Sequence, residues 1–380
     1  MKLMINFYLI LVFFLFTFGQ LEVMVAGKIT NLTYVVILTI LICKFFINRK
    51  AVRNAAAYNF LFIFILAPFL LLSYAGDLVQ NISRWSWFIL IALLPLHAFV
   101  FPHKYTILLK PILTFYFWLG IVIIFDCILF FIFGNVYLFD FEFYITPRFS
   151  GPFNDPNFLG FIYSLIFLLS YIDSSKVKAF QAVRLVSIIL VLLSGSVSAI
   201  VFLFVSIVLG KLKFTLSPNR IFFASAFFSF VIIPSLIYYS DLLFIGFSGL
   251  VGIFFDLPKE LVEVKYLSLK YRFEVVNLAV KFISENPFGY GYRSLLDFLP
   301  RDTHNSFVGM SFEYGIVTLF FLFFGFYFCN KRRANLAVVA FVSLMPLMLN
   351  IHYSPMYLCS IVLLVSFSKF NGSVSNRFNS

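Results

Sequence analysis

Apolar and polar positions alternate in long blocks along this chain. Apolar runs lie near residues 4–26, 29–47, 55–74, 86–102, 108–133, 158–172, 185–194, 199–210, 221–239, 305–328, 336–350 and 355–368, joined mostly by short polar connections. A membrane crossing takes about 20 apolar residues as a helix, so the pattern predicts twelve spans, two of them short. The short pair meets at Ser194-Gly195-Ser196-Val197-Ser198 and also reads as one broken span. One interval, 240–304, departs from the blocks by mixing polar and apolar positions. Within it Lys270, Glu274, Asn277, Lys281, Ser284 and Glu285 share one helical face, and Tyr271, Val275, Val276, Leu278, Ala279, Phe282 and Ile283 the other. That spacing predicts an amphipathic helix ending at Asn286-Pro287, with Arg272 inside its apolar face.

Composition agrees with the blocks. The 380 residues are 62% hydrophobic and 12% charged, against about 45–50% and about 25% in soluble domains. The expectation is an all-α, polytopic integral membrane protein: one transmembrane domain over 1–380, with a long outer loop that contains the amphipathic helix. The net charge of +12 brings nucleic acid to mind, but the basic residues cluster in short loops, where membrane orientation places them, and nucleic acid is set aside. With twelve spans and an inner N-terminus, eighteen of the 28 basic residues fall on one side, including Lys331-Arg332-Arg333. Merging the short pair would turn that cluster outward, so twelve spans with both termini inside are expected. The first apolar run, after Lys2, shows no clear cleavage site and reads as a retained helix. Cys43, Cys127, Cys329 and Cys359 are scattered, which indicates neither zinc nor a disulfide framework.

Candidate chemistry collects on the predicted outer side. A guanidinium on an apolar face is costly unless an anion meets it, so Arg272 marks either a structural ion pair or an anion site. Gly289 and Gly291 permit a turn that returns Arg293 and Arg301 to the same region. Asp302-Thr303 is expected to cap a helix that begins with His304 and Asn305. His304 is then either a helix-end residue or a group able to accept a proton, its charged form disfavoured by the helix dipole and Arg301. The second outer segment, 135–157, ends in RFSGPFNDPN. There Asp155 is expected as N-cap and Pro156 as first helical residue, with Arg148 upstream either as a loop charge or as an anion contact. Two acids inside predicted spans stand out: Glu313, sharing a face with Ser306 and Gly309, and Asp126. Glu313 either pairs with an outer arginine or bonds a neighbouring helix. His97 and His103 read as structural or solvated, and His352 as a weak rival of His304. Four dispersed histidines and no acid cluster predict no metal and no cofactor.

Three stretches together resemble a family: RFSGPFNDPNFLG before one span, YRFEVVNLAVKFISENPFGYGYRS in the long loop, and HNSFVGMSFEYG opening the next. They occur in the order found in the O-antigen polymerase (Wzy-type) and O-antigen ligase superfamily, and the resemblance in topology covers essentially the whole chain. It implies a glycosyltransferase of the bacterial inner membrane, working at the periplasmic face without a metal. The donor would be an undecaprenyl-diphosphate-linked glycan and the acceptor a sugar hydroxyl. Arg148 and Arg272 would meet the diphosphate, and His304 would activate the acceptor. Arg293 and Arg301 are further diphosphate candidates, with Asn157, Asn305 and Glu313 in support. Members often carry Ser-Arg-Gly where this chain has Ser194-Gly195-Ser196, so a cation is missing there or comes from Arg293 or Arg301. A polymerase acting on a lipid-linked repeat unit is the preferred expectation, with a chain-length regulator as candidate partner. A ligase to lipid A core is the first alternative. A lipid-linked oligosaccharide flippase, which Asp126 keeps in view, is the second.

Overall fold

The computed structural model describes residues 22–25, 28–31, 105–135, 137–139, 141–143, 147–153, 155–171, 177–211, 218–236, 239, 259–290, 294–316, 319 and 336–347. These are mostly helical. Five expected spans, near 4–26, 29–47, 55–74, 86–102 and 355–368, lie largely or wholly outside them. Where the first two would meet, β1 (Glu22–Val25) and β2 (Lys28–Asn31) pair antiparallel. The chain there is extended, which corrects the helical expectation.

Helix α1 (Tyr105–Phe133, 29 residues) includes the one described helix long and apolar enough to cross a membrane, over Ile112–Phe133. One side of it packs inward through Leu113, Tyr116 and Ile123, while Trp118, Phe125 and Ile132 are exposed. After Gly134, in the left-handed region at φ 73°, the chain turns back and forms a hairpin of β3 (Phe141–Phe143) and β4 (Pro147–Phe149). A 3-10 turn, Gly151–Phe153, leads into α2 (Pro156–Leu169).

Helix α2 is the centre of the bundle. Every residue from Leu159 to Leu169 is buried, as expected for a helix that is apolar all round. Against it lie α3 (Val177–Leu193), α4 (Val197–Lys211) and α10 (Leu336–Leu344), the last through Phe161 stacked on Phe341 at 5.6 Å. The Ser-Gly-Ser expectation holds here, because α3 and α4 are separate helices with a turn at 194–196. The far end of α2 is closed by Arg184, whose Nη2 donates to the Ser170 carbonyl at 2.8 Å. A cation there complements the negative end of the helix dipole.

Helix α5 (Pro218–Phe227) continues through a π turn, Phe228–Ile232, into α6 (Ile233–Leu236). The amphipathic helix α7 spans Lys259–Glu285, beginning well before Lys270, the first residue of the polar face read from the sequence. Its buried face holds Val275, Val276, Ala279 and Ile283, whereas Leu278 is exposed against expectation. A short helix, α8 (Leu295–Phe298), precedes α9 (Ser306–Tyr314). No side chain of α9 is exposed. Phe307, Met310 and Tyr314 join the core around α2, while Val308 and Phe312 join a second core with the face of α7. Two expectations for this helix fail. Its N-cap is Asn305, leaving Asp302, Thr303 and His304 outside the helix, and the expected run 305–328 is interrupted at Gly315, where φ is 88° and ψ 159°.

Candidate functional site

The described site residues form two groups, each at the N-terminus of a buried helix. The first is built around Arg148. Asp155 caps α2 by accepting from the Asn157 backbone N–H at 2.6 Å, and Pro156 is the first helical residue, both as expected. This places Asn157 one position inside the helix and beside the end of β4. Arg148 Nη2 donates to Asn157 Oδ1 at 3.0 Å, and Arg148 Nε donates to the Ser194 carbonyl at 3.3 Å. Ser196 Oγ donates to the same Asn157 oxygen at 3.0 Å. A guanidinium can only donate, so the amide oxygen of Asn157 is the atom that faces it. Gly195 makes this possible. At φ +57° a Cβ there would stand 3.2 Å from Arg148 Cγ, so the arginine stem lies against the bare backbone of the turn. The turn is drawn onto α2 by Gly160, where a Cβ would come within 2.8 Å of Ser194 Oγ and 3.0 Å of Ser196 Cβ. Arg148 is therefore a half-buried, bonded cation and not a solvated loop charge. It also brings a positive group to the Ser194-Gly195-Ser196 turn, where the expectation was a cation either missing or supplied by Arg293 or Arg301.

The second group is built around His304. Arg272 continues the buried stripe of α7 one turn before Val275 and Val276, and is half-buried. Arg301 is exposed in the connection from α8. Burial, then the Arg272 charge, then the Arg301 charge lower the His304 pKa from 6.5 to about 4. At neutral pH the imidazole is uncharged and retains a lone pair to accept a proton. The low value follows because a protonated ring would be partly desolvated beside two cations. His304 also has φ 48°, the one positive φ outside glycine among the described residues.

The neighbours of His304 are tied down on both sides. Thr303 Oγ1 donates to the Asn305 carbonyl at 3.1 Å. Asn305 Oδ1 accepts from the Val308 N–H at 3.1 Å as the cap of α9, and Asn305 Nδ2 donates to Ser229 Oγ at 3.1 Å. Asn305 is thus committed to the frame, at 1% exposure. Glu313 is wholly enclosed two turns into α9, in keeping with a place inside the bundle. Arg293 and Gly291 lie outside the described residues, as do His97, His103 and His352.

Asp126 has a different task from the one expected. Its Oδ1 accepts from the backbone N–H groups of Tyr137 at 3.3 Å and Leu138 at 3.1 Å, and its Oδ2 from Phe139 at 3.0 Å. The buried carboxylate anchors the chain where it folds back from α1 towards β3. A carboxyl group that accepts from three backbone donors is a structural clasp.

Ser194, Ser196 and Ser229 were not singled out as site residues. The first two lie in the recognised turn and needed only the partner that approaches it, whereas Ser229 sits in an apolar run with no local signal. Among the described residues no cluster of three or more metal-ligating side chains occurs. Comparisons with protein-family models, curated proteins and solved structures give no match to this chain.

Proposed function

We propose that this protein is a polysaccharide polymerase: a multi-pass glycosyltransferase of the bacterial inner membrane with about twelve spans, both termini cytoplasmic and its site periplasmic. The observation that carries the reading is the place of His304: it is half-buried in a left-handed conformation just before the cap of a buried helix, where the charges of Arg272 and Arg301 disfavour its protonated form. That arrangement suits a reaction in which a proton leaves a hydroxyl while an anion departs. The apolar, exposed side of α1 supports a lipid-facing surface, and the resemblance of the three motifs supplies the substrate class.

The donor is a glycan on undecaprenyl diphosphate, and the acceptor is a hydroxyl of a second lipid-linked repeat unit. Arg272 and Arg301, with Arg148 as a further cation, hold the donor diphosphate. The acceptor oxygen attacks the anomeric carbon of the reducing-end sugar, its proton passes to His304, and the bond from that carbon to the diphosphate oxygen breaks. The products are a longer lipid-linked glycan and undecaprenyl diphosphate. Fixed cations stabilise charge that grows on the leaving group, so the mechanism calls for no metal. Diphosphate bound beside Arg272 and Arg301 also offsets the field that depresses His304, making the base stronger when the donor is in place.

The test is expression of the wild-type chain in three deficient strains of the source organism, with surface polysaccharide read as a ladder on a gel. Restoration of the ladder in a polymerase-deficient strain is the expected result. Rescue confined to a strain whose finished polymer stays on its carrier would instead make the protein a ligase. A strain blocked in moving single lipid-linked units outward serves as the transporter control, and rescue there alone would overturn the glycosyltransferase reading.

A further inference from the structure

His304 carries no covalent or helical restraint of its own that would explain its left-handed backbone. Its two neighbours supply that restraint. Thr303 and Asn305 are each 1% exposed, and the Thr303 Oγ1 bond to the Asn305 carbonyl closes a tight loop over His304. Asn305 is fixed in turn at both ends of its amide, by the Val308 N–H and by Ser229 Oγ.

Ser229 is wholly buried, and its hydroxyl has one proton to give, which goes to the Ser225 carbonyl at 3.0 Å. Its lone pairs are then left to accept from Asn305 Nδ2. Ser229 lies in the π turn Phe228–Ile232 between α5 and α6. A π turn holds one residue more than an α turn and so shifts the face on which the following side chains emerge. Here the hydroxyl emerges against the first residue before α9, some 76 positions away in sequence.

We infer that Ser229 is a positioning residue for the proposed transfer, acting through Asn305 to hold His304 in the left-handed backbone conformation from which its imidazole is presented at the start of α9. The inference rests on the proposed role of His304 as proton acceptor. Ser229 touches no substrate. Without its hydroxyl, Asn305 Nδ2 loses its acceptor, the cap of α9 loosens, and the imidazole leaves its half-buried position. Misplacement of a catalytic group by about 1 Å is sufficient to cost on the order of 100-fold in rate.

The test uses the purified full-length chain in lipid nanodiscs, with lipid-linked repeat units extracted from polymerase-deficient cells of the source organism. Ser229→Ala is expected to lower kcat by about 10-fold or more with KM within about twofold, and Ser229→Thr to recover most of the loss. Asn305→Asp is the second variant. It keeps the cap, since aspartate accepts from Val308 equally well, but cannot donate to Ser229. Among the described residues, the charges that act on His304 are those of Arg272 from α7 and Arg301 from the connecting loop, and Asp302 lies two residues before it. An added carboxylate at 305 and a displaced ring both favour the protonated imidazole, so in both variants the acid limb of the kcat profile should move to higher pH. A wild-type kcat and pH profile in Ser229→Ala and Asn305→Asp would overturn the inference alone. So would reduced protein yield with unchanged turnover per molecule. A wild-type chain that transfers nothing under these conditions would overturn the proposed function, and this inference with it.

Discussion

Gly289 and Gly315 stand against each other: a Cβ on Gly289 would come within 2.5 Å of the Gly315 nitrogen, and one on Gly315 within 2.7 Å of the Phe288 carbonyl oxygen. The Ile316 N–H donates to the Pro287 carbonyl at 2.9 Å, and the Tyr290 N–H to the Phe312 carbonyl at 2.8 Å. The contact clamps the end of α7, which carries Arg272, to the end of α9, which His304 precedes. Gly315, at φ 88° and ψ 159°, occupies a region essentially closed to other residues. Gly315→Ala should therefore destabilise the protein by at least about 2 kcal/mol, read as a lower Tm in detergent. An unchanged Tm would contradict the clamp.

Arg148 should depend on the residues that seat it. Asn157→Asp keeps an acceptor for the guanidinium but places a negative charge beside it, which cancels the cation an anionic substrate would meet. The expected result is normal protein level with polymer reduced about 10-fold or more, in line with loss of a charge-stabilising group. Gly195→Ala should act in the same direction by displacing the arginine stem. Wild-type ladders from both variants at matched protein level would remove Arg148 from the site.

The pH dependence follows from His304. Its folded pKa, about 4, lies below the ordinary 6.5. Between those values the unfolded chain binds the extra proton, so this residue's contribution to stability is full above about 6.5 and is lost as pH falls through about 4. Activity needs the neutral ring. The kcat/KM of the wild type, which reports the free enzyme, should hold from pH 7 to about 5 and fall below that as the ring protonates. Arg301→Gln removes the smallest of the three causes, so the acid limb in kcat/KM should move upward yet stay below 6.5. An acid limb already at the ordinary histidine value in the wild type would contradict a half-buried imidazole beside these charges.

Asp126 separates the enzyme from the transporter. Asp126→Asn leaves one acceptor oxygen where two served three donors, which should cost about 1–3 kcal/mol of stability. Turnover per folded molecule should stay near the wild-type value. Full protein level with activity abolished would return Asp126 to a functional role.

Features governed by neighbouring residues were legible in the sequence. Asp155 and Pro156 open α2 because capping needs only the next few backbone groups, and the Ser194-Gly195-Ser196 turn breaks α3 from α4 because its residues favour turns. Arg272 fell on the buried stripe of α7 because helical period places it there. What failed depended on distant partners. Asp302 and Thr303 are acceptable caps in isolation, but Asn305 takes the position because Ser229 meets its amide. The run after Tyr314 is apolar enough to continue a helix, yet the loop from α7 needs the space at Gly315. Asp126 could be seen as a buried acid, while its three donors, 11 to 13 residues onward, lie in a loop whose return path no local pattern encodes.

The most direct test of the central claim is glycan transfer by purified wild type, Arg272→Ala and His304→Ala, with extracted lipid-linked repeat units and products resolved by length. The account predicts lengthened lipid-linked glycan from the wild type, and a loss on the order of 100-fold or more from each variant at equal folded protein. Lengthened glycan at the wild-type rate from either variant would contradict the account, because neither the cation nor the proton acceptor would then be acting in the transfer.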